Sequence, residues 1–155
     1  MSANISCMTS TTIDKNNGTH TAWQWVTYYN LSASSWVNGT QNLTAYEDKP
    51  GQYDFMNTTY TLGSANTSYQ FLYVDKNCSV VQVAYLKEGV THQSLDYKQN
   101  QAAFSSCALW VRDGELERNH TCCEDFFKTN CTMPAYFVYN ATECAAHPNE
   151  TIQPQ

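Results

Sequence analysis

The sequence predicts an all-β fold: an antiparallel sheet that curls and closes on itself, with one α-helix late in the chain. Runs of strand length recur at short, even spacing, which suits a meander rather than an α/β alternation. The stretch Phe104–Cys131, FSSCALWVRDGELERNHTCCEDFFKTNC, reads as strand, turn and helix. Closure removes the exposed edges that an open sheet would offer to other chains. The 155 residues are read as a single domain, residues 1–155, ending in a polar tail at 145–155.

In chain order, residues 1–20 are polar, with Cys7 the only obvious anchor. Ala22–Asn30 (AWQWVTYYN) alternates well enough for a strand. If Asn30 faces solvent, Gln24, Val26 and Tyr28 share its side, and Trp23, Trp25, Thr27 and Tyr29 point inward. Residues 31–52 look loop-like, with Gly39, Pro50 and Gly51, although Gln41–Tyr46 has strand character. Tyr53–Leu62 is the next strand; placing Asn57 outward turns Asp54, Met56, Thr58, Tyr60 and Leu62 inward. Gly63–Thr67 is a turn. Ser68–Val74 (SYQFLYV) and Cys78–Leu86 (CSVVQVAYL) form a hairpin across Asp75-Lys76-Asn77. Glu88-Gly89 turns the chain into a weak strand, His92–Lys98.

Cys107–Arg112 is the last strong strand, with Ala108 and Trp110 on one side and Cys107, Leu109 and Val111 on the other. Asp113-Gly114 is a turn. Thr121 with Glu124 three residues on has the spacing of a capping box, so the helix starts there. Ala135–Tyr139 is a short extended piece.

Composition narrows the function. Eleven Tyr, six Phe and four Trp with few charges suit either an aromatic-lined hollow or a plain aromatic core. The net charge of −6 and scattered basic residues exclude a nucleic-acid surface. No apolar run reaches the roughly 18 residues that a spanning helix needs. No secretory leader is visible, and Met1-Ser2 reads as a trimmed start. The compartment is still legible. Asn-x-Ser/Thr triplets begin at twelve positions: Asn4, Asn17, Asn30, Asn38, Asn42, Asn57, Asn66, Asn77, Asn119, Asn130, Asn140 and Asn149. With seven cysteines, they point to a secreted, glycosylated, disulfide-bonded protein. The odd count leaves one thiol free, paired between chains, or parted from a partner on sequence not present.

Catalytic motifs are absent. The four histidines, His20, His92, His120 and His147, form no i, i+4 metal pair, and oxidising conditions argue against zinc at His120, Cys122 and Cys123. No phosphate loop or nucleophile elbow occurs, and Cys107 has no nucleophile motif around it. The expectation is no enzyme, no cofactor and no metal.

The runs DKNCSVV and CALWVRD, the Cys-led helix TCCEDFF and the final Cys of TEC, in that order, resemble the salivary lipocalins of ticks. That group includes the histamine-binding proteins and the soft-tick complement and leukotriene inhibitors, and the resemblance covers about Cys7 to Cys144. It implies a lipocalin-like β-barrel with one C-terminal flanking helix, a small molecule inside and no catalysis. By position it also implies the disulfides Cys7–Cys144 and Cys78–Cys123. Cys107 and Cys131 can bridge if the helix lies over the last strand. The family carries a further first strand upstream of the cysteine matched to Cys7, and only six residues precede Cys7 here. That strand is absent, supplied by another chain, or the register differs. Cys122 would then be the thiol without its upstream partner.

The predicted lining is Trp23, Trp25, Tyr29, Asp54, Met56, Tyr60, Phe71, Tyr73, Ala108 and Trp110. Amine-binding relatives hold an inward glutamate at the position of Ala108, and alanine cannot pair an ammonium. The expected cargo is therefore apolar: a sterol, fatty acid or eicosanoid. Asp54 and Asp96 are inward carboxylates that would restore a biogenic amine, histamine or serotonin, or else exposed charges near turns. A second function class is a surface-acting immunomodulator that binds a host protein through Val80–Ser105, which carries no glycosylation triplet.

Overall fold

A computed structural model describes residues 5–47, 49–60, 67–85, 106–116, 120–131 and 139–146. The strands are β1 (Ile5–Asn16), β2 (Thr21–Asn30), β3 (Ser35–Tyr46), β4 (Phe55–Tyr60), β5 (Thr67–Val74), β6 (Cys78–Tyr85) and β7 (Ser106–Val111). Two helices follow, α1 (Thr121–Asn130) and α2 (Ala141–Ala146). The strands form one seven-stranded antiparallel meander in the order β1-β2-β3-β4-β5-β6-β7, curled as a half-barrel. Among the described residues no pairing joins β7 to β1. The turns at 63–66 and Glu88-Gly89, the strand at His92–Lys98, Asp96, and the piece at 135–138 lie outside the described residues, as do Asn4, Asn66, Asn119 and Asn149.

Two strands replace segments expected to be polar or loop. β1 occupies the N-terminal polar stretch. It is rich in Thr and Ile, which suit a pleated backbone, and among the described strands β2 alone pairs with it, so its sequence lacks a clean apolar alternation. β3 runs twelve residues through Gly39, which pairs with Val26, and buries Leu43 to 3 % exposure.

The first two hairpins share one device. Asn16 Oδ1 accepts the N–H groups of Gly18 and Thr19 at 2.9 and 3.1 Å, and His20 closes the turn at φ 53°. Asn30 Oδ1 accepts those of Ser32 and Ala33 at 2.9 and 3.0 Å, and Ser34 closes at φ 51°. A short polar side chain thus substitutes for backbone acceptors and lets the chain reverse.

The N-cap of α1 is His120, one residue before the expected Thr121. It makes no side-chain cap bond, whereas Glu124 Oε1 stands 3.0 Å from its Nε2. α2 contains Cys144 and Ala145-Ala146, so the polar tail starts later than expected. Asn140 caps it, accepting from the N–H groups of Thr142 and Glu143 at 3.0 and 3.2 Å.

Three disulfides hold this frame: Cys7–Cys144, Cys78–Cys123 and Cys107–Cys131. Cys122 is free and exposed. The last two bridges clamp α1 over β6 and β7, where Cys78, Val80, Cys123 and Cys131 form a buried cluster with Leu72, Leu109, Phe126 and Phe127 packed on it. Cys7–Cys144 spans 137 residues, and the chain-entropy relation assigns a ring of that size about 5 kcal/mol of stabilisation. Replacing both Cys7 and Cys144 by Ala should lower the thermal midpoint by roughly 10–20 °C in calorimetry. A shift under a few degrees would show that the bridge constrains little.

Candidate functional site

Residues directly opposite one another on paired strands point to the same side of the sheet. From β7 inward, Ala108 pairs with Val81 and Val81 with Phe71; Val83 pairs with Tyr69, and Tyr69 with Met56. Met56 pairs with Ala45, Leu43 with Thr58, and Ala22 with Leu43. One face therefore carries Ala22, Leu43, Met56, Tyr69, Phe71, Val81, Val83 and Ala108, which pack as one cluster. Side chains two strands apart meet on it. The ring of Trp110 lies 5.0 Å from Tyr69 and 5.9 Å from Phe71, edge to face in both cases, across β6. Such contacts belong to the concave side of a curled sheet, so this is the inner face. α1 covers the opposite, outer face.

The polar part of the inner face lies on β1 to β3. Gln24 Oε1 accepts from Ser10 Oγ at 2.7 Å and from Gln41 Nε2 at 2.8 Å, and Gln24 Nε2 reaches Thr12 Oγ1 at 3.4 Å. Gln41 is 4 % exposed, and its Oε1 is buried without a hydrogen-bond partner. Further along, the Thr67 N–H donates to Thr58 Oγ1 at 3.2 Å. The inner positions of the described strands include no Asp or Glu.

The structure divides the predicted lining. Met56, Phe71, Ala108 and Trp110 meet on the inner face, Trp110 at its rim with 36 % exposure. Trp23, Trp25 and Tyr29 stand on the outer face, because Ala22 and Gln24 pair with the inner Leu43 and Gln41. Asn30 misoriented β2: it ends the strand and turns into the hairpin, so it does not report which side is wet. Tyr73 is also outside. A bulge sets Leu72 and Tyr73 against Val80, which reverses the alternation after Phe71. Its ring stacks on Phe126 of α1 at 5.1 Å. Asp54 sits just before β4, half-buried; its carbonyl accepts the Phe71 N–H at 2.8 Å and its Oδ2 accepts from Gln52 Nε2 at 2.6 Å. Tyr60 pairs through its backbone with Gln41.

Sequence reasoning missed Leu43, Tyr69, Val81, Gln24 and Gln41. The triplets at Asn38 and Asn42, taken as outward, would have turned Leu43 and Gln41 inward once β3 was recognised. Val80 and Val81 are fully buried, so the start of the triplet-free stretch is not an open surface; its remainder at 86–105 lies outside the described residues. A shallow cleft of about 260 Å³ opens at the β5–β6 turn beside Asp75, Lys76, Trp110 and Arg112.

With this geometry in hand, comparison with known proteins is informative. Residues 1–146 match the family described as tick histamine binding protein. The chain belongs to the tick histamine binding protein family. No curated protein and no solved structure matches it. In this chain the helix is clamped outside the sheet, and the β7 residues Ala108 and Trp110 lie inside.

The Tyr73 phenol is pushed above its ordinary value of 10.0, first by desolvation and then by the charges of Cys122 and Asp75. A raised folded-state pKa contributes stability below the unfolded value and loses it as pH rises through the folded one. Stability should therefore fall above about pH 10, and Tyr73→Phe should flatten that limb in alkaline titrations followed by circular dichroism. An unchanged limb would place the alkaline transition elsewhere.

Proposed function

We propose that this chain is a secreted salivary protein of a tick that captures one small, mostly apolar molecule on the inner face of its curled sheet. The observation that carries this reading is the wall of Tyr69, Phe71 and Trp110 beside Met56, Val81, Val83 and Ala108. Such a wall binds by removing apolar area from water, at about 25 cal/mol per Å². It carries no carboxylate to pair an ammonium at the described inner positions. Gln41 Oε1 adds a buried acceptor with no partner, and a cargo with one hydroxyl or amide N–H would satisfy it. Sterols and hydroxylated fatty acids have that form. Twelve glycosylation triplets and three disulfides support secretion and glycosylation. The action is stoichiometric: the free concentration of a host mediator falls as it is buried.

The second reading is a biogenic amine such as histamine, which the family name supports. Asp54 is the carboxylate for it, one residue before β4 and bonded through its carbonyl to Phe71.

Native mass spectrometry of the secreted protein, followed by extraction, separates the two. A neutral, hydroxylated lipid in the extract is expected. A bound amine would overturn the apolar reading, and an empty protein that takes up neither class would overturn capture itself. Trp110→Ala should weaken the bound lipid at least about tenfold, or about 1.4 kcal/mol. Ala108→Glu should reverse the preference, weakening the lipid and bringing measurable histamine binding in calorimetry. Unaltered selectivity would remove β7 from the site.

A further inference from the structure

The outer face of β2 to β4 is mixed: Thr27 and Phe55 are buried on it, while other side chains stand open. Trp23, 40 % exposed, and Trp25 project there from β2. Three glycosylation triplets begin inside strands, at Asn38 and Asn42 in β3 and Asn57 in β4, and all three asparagines fall on this same face. The two rows face one another. Trp23 pairs directly with Asn42, Trp25 with Thr40, which is the hydroxyl residue of the Asn38 triplet, and Asn42 pairs in turn with Thr59, the hydroxyl residue of the Asn57 triplet.

This face also holds unsatisfied polarity. Trp25 Nε1, Asn38 Oδ1, Asn42 Oδ1, Asn57 Oδ1 and Ser68 Oγ are all buried without a hydrogen-bond partner. These atoms are closed to solvent, so the part of the face open to a new group is the surface around the exposed Trp23 ring. A carbohydrate supplies hydroxyl and acetamido groups, and its C–H faces stack on indole rings.

We propose that Asn42 carries an N-linked glycan whose first sugar packs on Trp23, making the outer face of β2 to β4 a glycan seat. In the joining step Asn42 Nδ2 attacks C1 of a lipid-linked oligosaccharyl diphosphate. The N–C1 bond forms, the C1–O bond breaks, the lipid diphosphate leaves with the electron pair, and Nδ2 loses one proton. The indole exposed outside the sheet is then covered by the protein's own modification rather than by a partner.

The test uses the full chain secreted from insect cells. Glycopeptide mass spectrometry should find Asn42 occupied. An endoglycosidase that leaves one N-acetylglucosamine should keep the thermal midpoint, because only the first sugar touches Trp23. Thr44→Ala removes the triplet but keeps Asn42, and should lower the midpoint by roughly 2–4 °C. In a Trp23→Ala background the same change should do nothing further. Asn42→Gln, in both backgrounds, must repeat the result, which separates loss of the sugar from damage to β3. An unmodified Asn42, an equal loss in both backgrounds, or the same coupling in glycan-free protein from bacteria would each overturn the proposal.

Discussion

One unbroken ladder of antiparallel pairs runs from β1 to β7, and every other property of the molecule hangs on its register. Because a paired residue shares its partner's side, a single known position orients the whole sheet. Cys107 lies outside because it is bonded to Cys131 next to α1, so Ala108 lies inside, and from there the inner wall follows strand by strand. A slip of one residue anywhere would exchange the two faces beyond it. The register shifts twice along β1, between Ser6 and Thr9 and between Thr12 and Asp14, and again at Leu72. The bulge keeps Phe71 in the inner wall and sends Tyr73 out to stack under Phe126. One strand thereby serves two cores, the inner aromatic wall and the clamp beneath the helix.

The helix is held by chemistry more than by area. α1 is short and mostly polar, and Cys123 is its buried residue. Isolated helices of ten residues are marginal in water. Here two sulfur bridges bind it to neighbouring strands at Cys78 and Cys107, and Phe126 and Phe127 fill the space between. The helix packs on one side of β5 to β7, opposite the inner wall.

Legibility in the sequence followed the strength of local pattern. β6 and β7 are strongly apolar runs with clear turns, and their parity around Ala108 and Trp110 is set by the strand period alone. Cys7–Cys144 and Cys78–Cys123 came from resemblance, since spacing cannot choose among cysteine pairings. β1 and β3 were hidden for physical reasons. β1 pairs with one strand among those described and gains little from apolar residues, and β3 carries Gly39 and a polar outer row of Asn38, Thr40, Asn42 and Thr44 that mimics a loop. With β3 unrecognised, β2 had no partner to orient it, and a strand-end asparagine was a poor compass. Tyr73 required knowledge of the bulge, for which no glycine or proline gives a signal.

The bond between Cys7 and Cys144 makes nearly all of the chain a macrocycle, and the two other bridges overlap within it, at 78–123 and 107–131. One peptide-bond cut anywhere between residues 7 and 144 releases no fragment, because the two pieces stay joined through sulfur. The chain can thus be nicked in a loop and remain a single molecule.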